Sequence, residues 1–426
     1  MHSPHSTETD LRISVVFLQA KGLCVPENPP PSIPRKPNYV FLKELAGHLV
    51  TTNKMYLTSL LSLAALAGIS IAKTPGCGED IPSKYPKAGE SESLSLPDSD
   101  REYRLFIPAN YDKDTPTAVY FSFHGASRDM VEEESLSQFS NPEFNPDGIA
   151  VYPNSQNGYW LSSPAAETSR PNDLDFTNDL LTHLEETLCI DTSKVFAAGK
   201  SNGGGFVSVI ACNSTVGSRF AAFAAVSGAW YDTDDIKGVG PCAPAKRDSG
   251  YPFLEFHGTV DTTAPIDGDG ESKLPVIDVL QAWAAQNGCA NNSQPTSNKT
   301  IFDDPVVKHA SWDCNGLTGI VQHYRESDNG HCWPSTVGND DFTRNAAQCP
   351  LGKSEFNATQ YIFDFFAEDH SSTSTTTSTG TSTATGTSTA STSTSTHNQS
   401  PKISQPMSFY ALYLIFSAVV INSMHI

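Results

Sequence analysis

Between residues 101 and 366 the chain alternates short apolar runs with longer amphipathic ones. Arg101-Glu-Tyr-Arg-Leu-Phe-Ile107 switches between polar and apolar positions, the period of a half-buried strand. Ala118–Phe123, Ile149–Tyr152, Val195–Ala198, Phe220–Val226, Phe253–Phe256 and Gly319–Tyr324 are compact apolar runs that end at loop residues, and they predict further strands. From Asp175 to Cys189 the spacing changes: Phe176, Leu180, Leu184 and Leu188 recur every four residues, predicting a helix with Asp175 at its start. Phe206–Cys212, Pro275–Asn287 (closed by Gly288) and Asn357–Phe366 predict three more, the last with Tyr361, Ile362, Phe365 and Phe366 on one side. Strand, helix, strand, helix predicts an α/β fold, a mainly parallel sheet with helices on both faces. Ligands then bind where the loops gather, at the carboxyl ends of the strands.

The periodic body, residues 73–369, is one domain's worth of a 426-residue chain. Residues 1–54 carry no sustained period and include Pro29-Pro-Pro-Ser-Ile-Pro34. Residues 55–72 have a short apolar core ending in Ser70-Ile71-Ala72, the form of a secretory signal cleaved after Ala72. Such signals are N-terminal, so Met55 is the expected start and 1–54 a dispensable leader; a cytosolic extension before a signal anchor is the competing reading. Residues 370–397 are almost wholly Ser and Thr, a composition that cannot bury a core and reads as a disordered, O-glycosylated stalk. Residues 398–426 run from small and polar residues through a polar spacer to the apolar Phe409–Ile421, the layout of a GPI-attachment signal.

Of nine cysteines, Cys24 lies upstream of the signal. Cys77, Cys189, Cys212, Cys242, Cys289, Cys314, Cys332 and Cys349 form an even set without a C-x-x-C pair, which predicts up to four disulfides and no zinc site. Sequons at Asn213, Asn291, Asn298 and Asn357 agree with export. The formal charge of −20 disfavours nucleic acid and anionic lipid as partners. No metal cluster, phosphate loop or dinucleotide fingerprint occurs, so no cofactor is implied.

Chemistry concentrates at Gly199-Lys-Ser201-Asn-Gly203, a G-x-S-x-G turn between a predicted strand and a predicted helix. Gly380-x-Ser382-x-Ala384 and Gly386-x-Ser388-x-Ala390 match loosely by composition alone and lack that context. A serine nucleophile needs a base, an acid to orient it, and donors for the oxyanion. Asp261 stands just past the strand Phe253–Phe256 and is the expected acid; Asp267 is its rival, and Glu255 lies inside the strand. His331, in the glycine-flanked loop Gly330-His-Cys-Trp-Pro334, completes the chain order and is the expected base. His257 instead shapes the acid loop, and His124 belongs to an early loop, Phe123-His-Gly-Ala-Ser127. The expected oxyanion donors are the backbone N–H groups of Asn202 and Ala126. With His331 as base, activity should fall in acid with an apparent pKa of roughly 6 to 7.

Gly199-Lys-Ser-Asn-Gly-Gly-Gly-Phe206, His257-Gly-Thr-Val-Asp261 and Gly330-His-Cys-Trp-Pro-Ser335 together resemble the fungal feruloyl esterases of carbohydrate esterase family 1, relatives of polyhydroxybutyrate depolymerases and acetylxylan esterases. The likeness spans residues 76–367 and includes Tyr152-Pro-Asn-Ser-Gln-Asn-Gly-Tyr-Trp160. It implies an α/β-hydrolase fold, Ser201, Asp261 and His331 as a triad, and cleavage of ferulate esters on cell-wall polysaccharide. Cys332 after the histidine is similar to tannase-like esterases, yet Lys200 rather than cysteine precedes Ser201, so their paired-cysteine bridge cannot form here. Trp160, Tyr159 and Trp333 are candidates to line an aromatic acyl pocket, with core packing as the competing reading. The alternatives are an esterase of acetylated xylan or of a polyester, and a catalytically idle wall protein on a glycosylated stalk.

Overall fold

The computed structural model describes residues 73–169, 172–231, 247, 249–289, 291–344, 346–368 and 370. The expected leader, signal, GPI segment and, apart from His370, the stalk lie outside the described residues, as do Cys24 and Cys242. Ten strands form one sheet in the order β1-β2-β4-β3-β5-β6-β7-β10-β9-β8. Its centre is parallel: β4 (Ile149–Pro153), β3 (Thr117–Phe123), β5 (Ile190–Lys200), β6 (Ala222–Val226), β7 (Phe253–Gly258) and β10 (Leu317–Glu326). Antiparallel pairs close both sides, β1 (Ser91–Ser95) with β2 (Glu102–Phe106), and β9 (Val306–Cys314) with β8 (Ser297–Asp303).

Compact apolar runs are what a central strand needs, because both of its faces are covered. Along β3, Val119, Phe121 and Phe123 enter one core while Tyr120 enters the other. Along β6, Phe223 and Ala225 face the first core and Ala222, Ala224 and Val226 the second. The first core is completed by α2 (Asp173–Thr187), α3 (Asn202–Cys212) and α4 (Val276–Gln286), the second by α1 (Met130–Ser137) and α6 (Ala358–Ala367). A short α5 (Asp340–Arg344) lies between β10 and α6 in the chain. This is an α/β-hydrolase arrangement.

Every predicted element is present with shifted ends. The helix expected at Asp175–Cys189 starts at Asp173, because Asn172 caps it by accepting from the N–H groups of Leu174 and Asp175. It stops at Thr187, since Leu188 is already extended. Five elements were not predicted, among them the five-residue α5. In β8 nearly every side chain is exposed, so no hydrophobic alternation marks it, and α1 reads Met-Val-Glu-Glu-Glu-Ser-Leu-Ser with a carboxyl, Glu133, on its buried side. β1 and β9 likewise pair at the open sides of the sheet, where only part of each strand is covered.

Disulfides join Cys77 to Cys189, Cys289 to Cys314 and Cys332 to Cys349, and Cys212 is disulfide-bonded as well. The first ties the start of the described chain to the end of α2. The last closes a loop running from the residue after His331 past α5.

Candidate active site

The loops after β5, β7 and β10 bring three predicted residues together. Ser201 sits between β5 and α3 with φ 54° and ψ −117°, a backbone state that costs a non-glycine residue energy and persists only when its surroundings enforce it. Its N–H donates to Val226 O (2.9 Å), while its carbonyl accepts from Gly205 (3.0 Å) and Ala229 (2.9 Å). Strand and helix are so close that a Cβ on Gly203 would lie 2.0 Å from Phe123 O, so only glycine fits there.

His331 Nε2 lies 2.8 Å from Ser201 Oγ, and its Nδ1 lies 2.7 Å from Asp261 Oδ2. Asp261 also accepts from the N–H groups of Thr263 and Ala264, both at 2.8 Å on Oδ1. With Nδ1–H donating to the carboxylate, Nε2 is left free to accept the serine proton. Burial and the Lys200 charge hold the His331 imidazole below its usual range, against the opposing pull of Asp261. Burial alone would raise the Asp261 carboxyl, but hydrogen bonds from His257 and His331 outweigh it and hold it well below the carboxylate range. Asp267, the rival acid, is exposed and takes no part.

Beneath Asp261 lies a second set of charges that the sequence did not suggest. His257 Nε2 donates to Ala264 O (2.7 Å) and lies 3.4 Å from Asp261 Oδ2, and Nδ1 faces Glu255 Oε1 at 2.8 Å. All three side chains are fully buried. Burial opposes a charge on His257, yet Glu255 and Asp261 together hold the ring well above the usual imidazole range. His323 Nε2 lies 3.2 Å from Glu255 Oε2, out of hydrogen-bond alignment, and burial pushes His323 down to about 3.

No family model matches the chain. The probable feruloyl esterase C of Aspergillus niger is 28% identical over 251 residues, 58% of this chain and 79% of that protein. The feruloyl esterase C of Emericella nidulans is 28% identical over 245 residues, 56% and 77% of the respective chains. Among solved structures, the acetyl xylan esterase from Aspergillus awamori aligns at 17% identity with a TM-score of 0.45, over 57% of this chain and 94% of its own. The chain is a serine ester hydrolase with the α/β-hydrolase fold.

In this hydrolase the Asn202 N–H stands in the first turn of α3, where no intrahelical acceptor exists. Ala126 lines the cleft beside Ser201, and a Cβ on neighbouring Gly125 would meet the Ser201 Cβ at 3.5 Å. His124 shapes that loop. Its Nε2 accepts from the Ser155 N–H (3.1 Å), so Nδ1 carries the proton and donates to Gly125 O (2.8 Å). Burial lowers His124 to about 4, which keeps this tautomer neutral.

Of the three aromatics that were candidates for an acyl pocket, the two tryptophans follow the competing reading and pack in the core. Trp160 is fully buried, stacked on Phe206 and edge-on to Phe123, with its Nε1–H donating to His124 O (2.9 Å). Trp333 is buried beside Phe139 with its Nε1–H on Thr359 Oγ1 (3.1 Å). Both brace loops from within, because a neighbouring aromatic core absorbs rings of that size more completely than a cleft. Tyr159 is half-buried, and its hydroxyl takes a hydrogen bond from Ser127 (3.3 Å) at the rim.

The cleft beside Ser201 and His331 has a volume of about 240 Å³, and its wall exposes polar and apolar surface in about equal measure. Lys200, Glu133 and Asp341 line it from three elements, and Arg128, Glu132 and Arg344 form an ion-paired group that also lines it. Sequence reasoning found none of these as a set, since they are spread from Arg128 to Arg344 and share no motif.

Proposed function

We propose that this is a secreted feruloyl esterase acting on feruloylated cell-wall polysaccharide through a Ser-His-Asp acyl-enzyme mechanism. The observation that carries the mechanism is the unbroken contact from Ser201 Oγ through the His331 ring to Asp261, beside an open cleft. Ser201 attacks the ester carbonyl while His331 Nε2 takes its proton; the same proton then passes to the departing alcohol. Asp261 keeps the ring in the required tautomer and stabilises the imidazolium that forms. The N–H groups of Asn202 and Ala126 receive the oxyanion. Water repeats the sequence on the acyl-enzyme and frees the acid.

The feruloyl esterase names of the relatives support a ferulate ester, and the charged residues among the cleft lining offer partners to a hydroxylated substrate that the chain of an aliphatic polyester would leave unused. Disulfides support an oxidising compartment, hence export. Surface display through a C-terminal GPI anchor is part of the same proposal; release of activity from membranes by phosphatidylinositol-specific phospholipase C tests it, and activity free in the medium without such release contradicts it.

The test of substrate is direct. Purified enzyme and Ser201→Ala are compared on methyl ferulate, acetylated xylan and polyhydroxybutyrate. The expected result is hydrolysis of methyl ferulate at the highest kcat/KM, abolished in Ser201→Ala. Preference for acetylated xylan or the polyester overturns the substrate, and activity surviving in Ser201→Ala overturns the mechanism. An idle wall protein hydrolyses none of them.

A further inference from the structure

Lys200 occupies the position before the nucleophile and is almost fully buried. Its ammonium donates to the backbone carbonyl of His331 (3.1 Å) and lies 3.5 Å from Asp341 Oδ2. The same Asp341 oxygen accepts from the Trp333 N–H (2.9 Å), and Asn339 Nδ2 donates to Trp333 O (2.9 Å). Ser227 Oγ donates to Cys332 O (2.9 Å), and Cys332 is bonded to Cys349. The loop that carries His331 is thus held residue by residue, and among the described residues Lys200 supplies the one side-chain link to it that starts on the nucleophile's own strand.

We propose that Lys200 is a positioning residue for the ester hydrolysis, clamping the His331 loop to the nucleophile strand and holding a cation beside the base so that the ring stays a proton acceptor in mildly acidic surroundings. The proposal rests on the assignment of Ser201 and His331 as nucleophile and base. A buried ammonium is costly unless paired, so its retention against a carbonyl and a single carboxylate calls for a role beyond packing.

The charges around this base are accounted for element by element. Asp261, after β7, faces His331 directly, with His257 behind it. Asp341 of α5 pairs with Lys200 and pulls the imidazole upward more weakly than Lys200 pushes it down. Glu133 of α1 lines the same cleft; burial raises it to about 8, against a hydrogen bond from Ser122, so it is largely uncharged at neutral pH and leaves Asp341 as the counter-ion. Arg128, Glu132, Arg344 and Asp340, also on the cleft wall, are paired among themselves.

The experiment is the pH dependence of kcat/KM for methyl ferulate in the wild-type enzyme, Lys200→Met, Lys200→Arg and Asp341→Asn. Lys200→Met keeps most of the unbranched stem and removes the ammonium. Its acid limb is expected to move to higher pH by about one unit, with kcat reduced roughly tenfold or more as the base loses its tether. Lys200→Arg retains the cation and is expected to keep the limb near its wild-type position. Asp341→Asn leaves Lys200 without its counter-ion and is expected to shift the limb the other way, to lower pH, so the proposal remains testable if Lys200→Met fails to fold. An acid limb that stays in place in both Lys200→Met and Asp341→Asn, or moves in the same direction in both, overturns the proposal. Loss of activity in Ser201→Ala, measured alongside, separates that failure from a failure of the nucleophile assignment.

Discussion

Asp261 has a histidine on either side. On the cleft side, His331 reaches Ser201 with one nitrogen and Asp261 with the other, and burial together with Lys200 keeps it easy to deprotonate. On the sheet side, His257 is more completely buried and meets Glu255, Asp261 and a carbonyl, with no cation among these direct contacts, and the two carboxyls hold it above the usual imidazole range. The residue type is the same and both rings are buried, His257 completely and His331 at the cleft wall. Both contact the Asp261 carboxylate; the difference is the second charge, a Glu255 carboxylate against His257 and the Lys200 ammonium near His331. One ring can therefore move a proton during turnover while the other acts as a fixed positive support beneath the acid.

Removing the shared carboxylate breaks the comparison most severely. Asp261→Asn is expected to leave the fold intact and lower kcat by about ten-thousand-fold, since the amide favours the wrong tautomer of His331; steady-state kinetics on protein with a wild-type circular dichroism spectrum measures it. Glu255→Gln withdraws the counter-charge from His257 alone. Breaking a buried pair from one side typically costs about 3 to 5 kcal/mol, so a lowered urea midpoint is expected together with a smaller loss of kcat than in Asp261→Asn. An unchanged midpoint would mean that His257 carries no charge.

His257→Gln sharpens the contrast through pH. The folded pKa of His257 lies above its unfolded value of about 6.5, so its contribution to stability is complete below about pH 6.5 and is lost as pH rises through the folded value. The melting-temperature gap between wild type and His257→Gln is expected to be widest in mild acid and to narrow in alkali. Asp261 works in the opposite sense: its depressed pKa contributes stability above about pH 3.9 that is lost as pH falls toward the folded value. The smallest effect belongs to Asp267→Asn, at an exposed position, where kcat is expected to stay within about a factor of two of wild type.

The turn at Ser201 and the loop positions of Asp261 and His331, which the fold brings into contact, were legible because each is a local signal: a glycine-framed serine between strand and helix, and an Asp and a His in loops that follow strands. The central strands were legible for the same reason, their two buried faces leaving continuous apolar runs. What stayed hidden depends on residues distant in the chain. Lys200 reads as an ordinary variable position of the elbow until α5 brings Asp341 to it. Glu133 looks like one of three solvated glutamates in Glu132-Glu-Glu134, though it is the one turned inward onto Ser122. Trp160 and Trp333 left two readings open, because an aromatic near a catalytic motif looks the same in sequence whether it lines the cleft or braces the loop behind it. The acid limb expected near an ordinary imidazole also needs revision: with burial and Lys200 both acting on His331, activity is expected to persist to lower pH than that.

The central claim, that His331 is the neutral base and His257 its cationic support, is tested most directly by nitrogen-15 NMR of the imidazole rings between about pH 5.5 and 8.5, with the two signals assigned through His331→Gln and His257→Gln. The expected spectrum shows His257 protonated on both nitrogens throughout, and His331 carrying a single proton on Nδ1 at neutral pH. A singly protonated His257 at neutral pH, or a His331 doubly protonated there, would contradict the account.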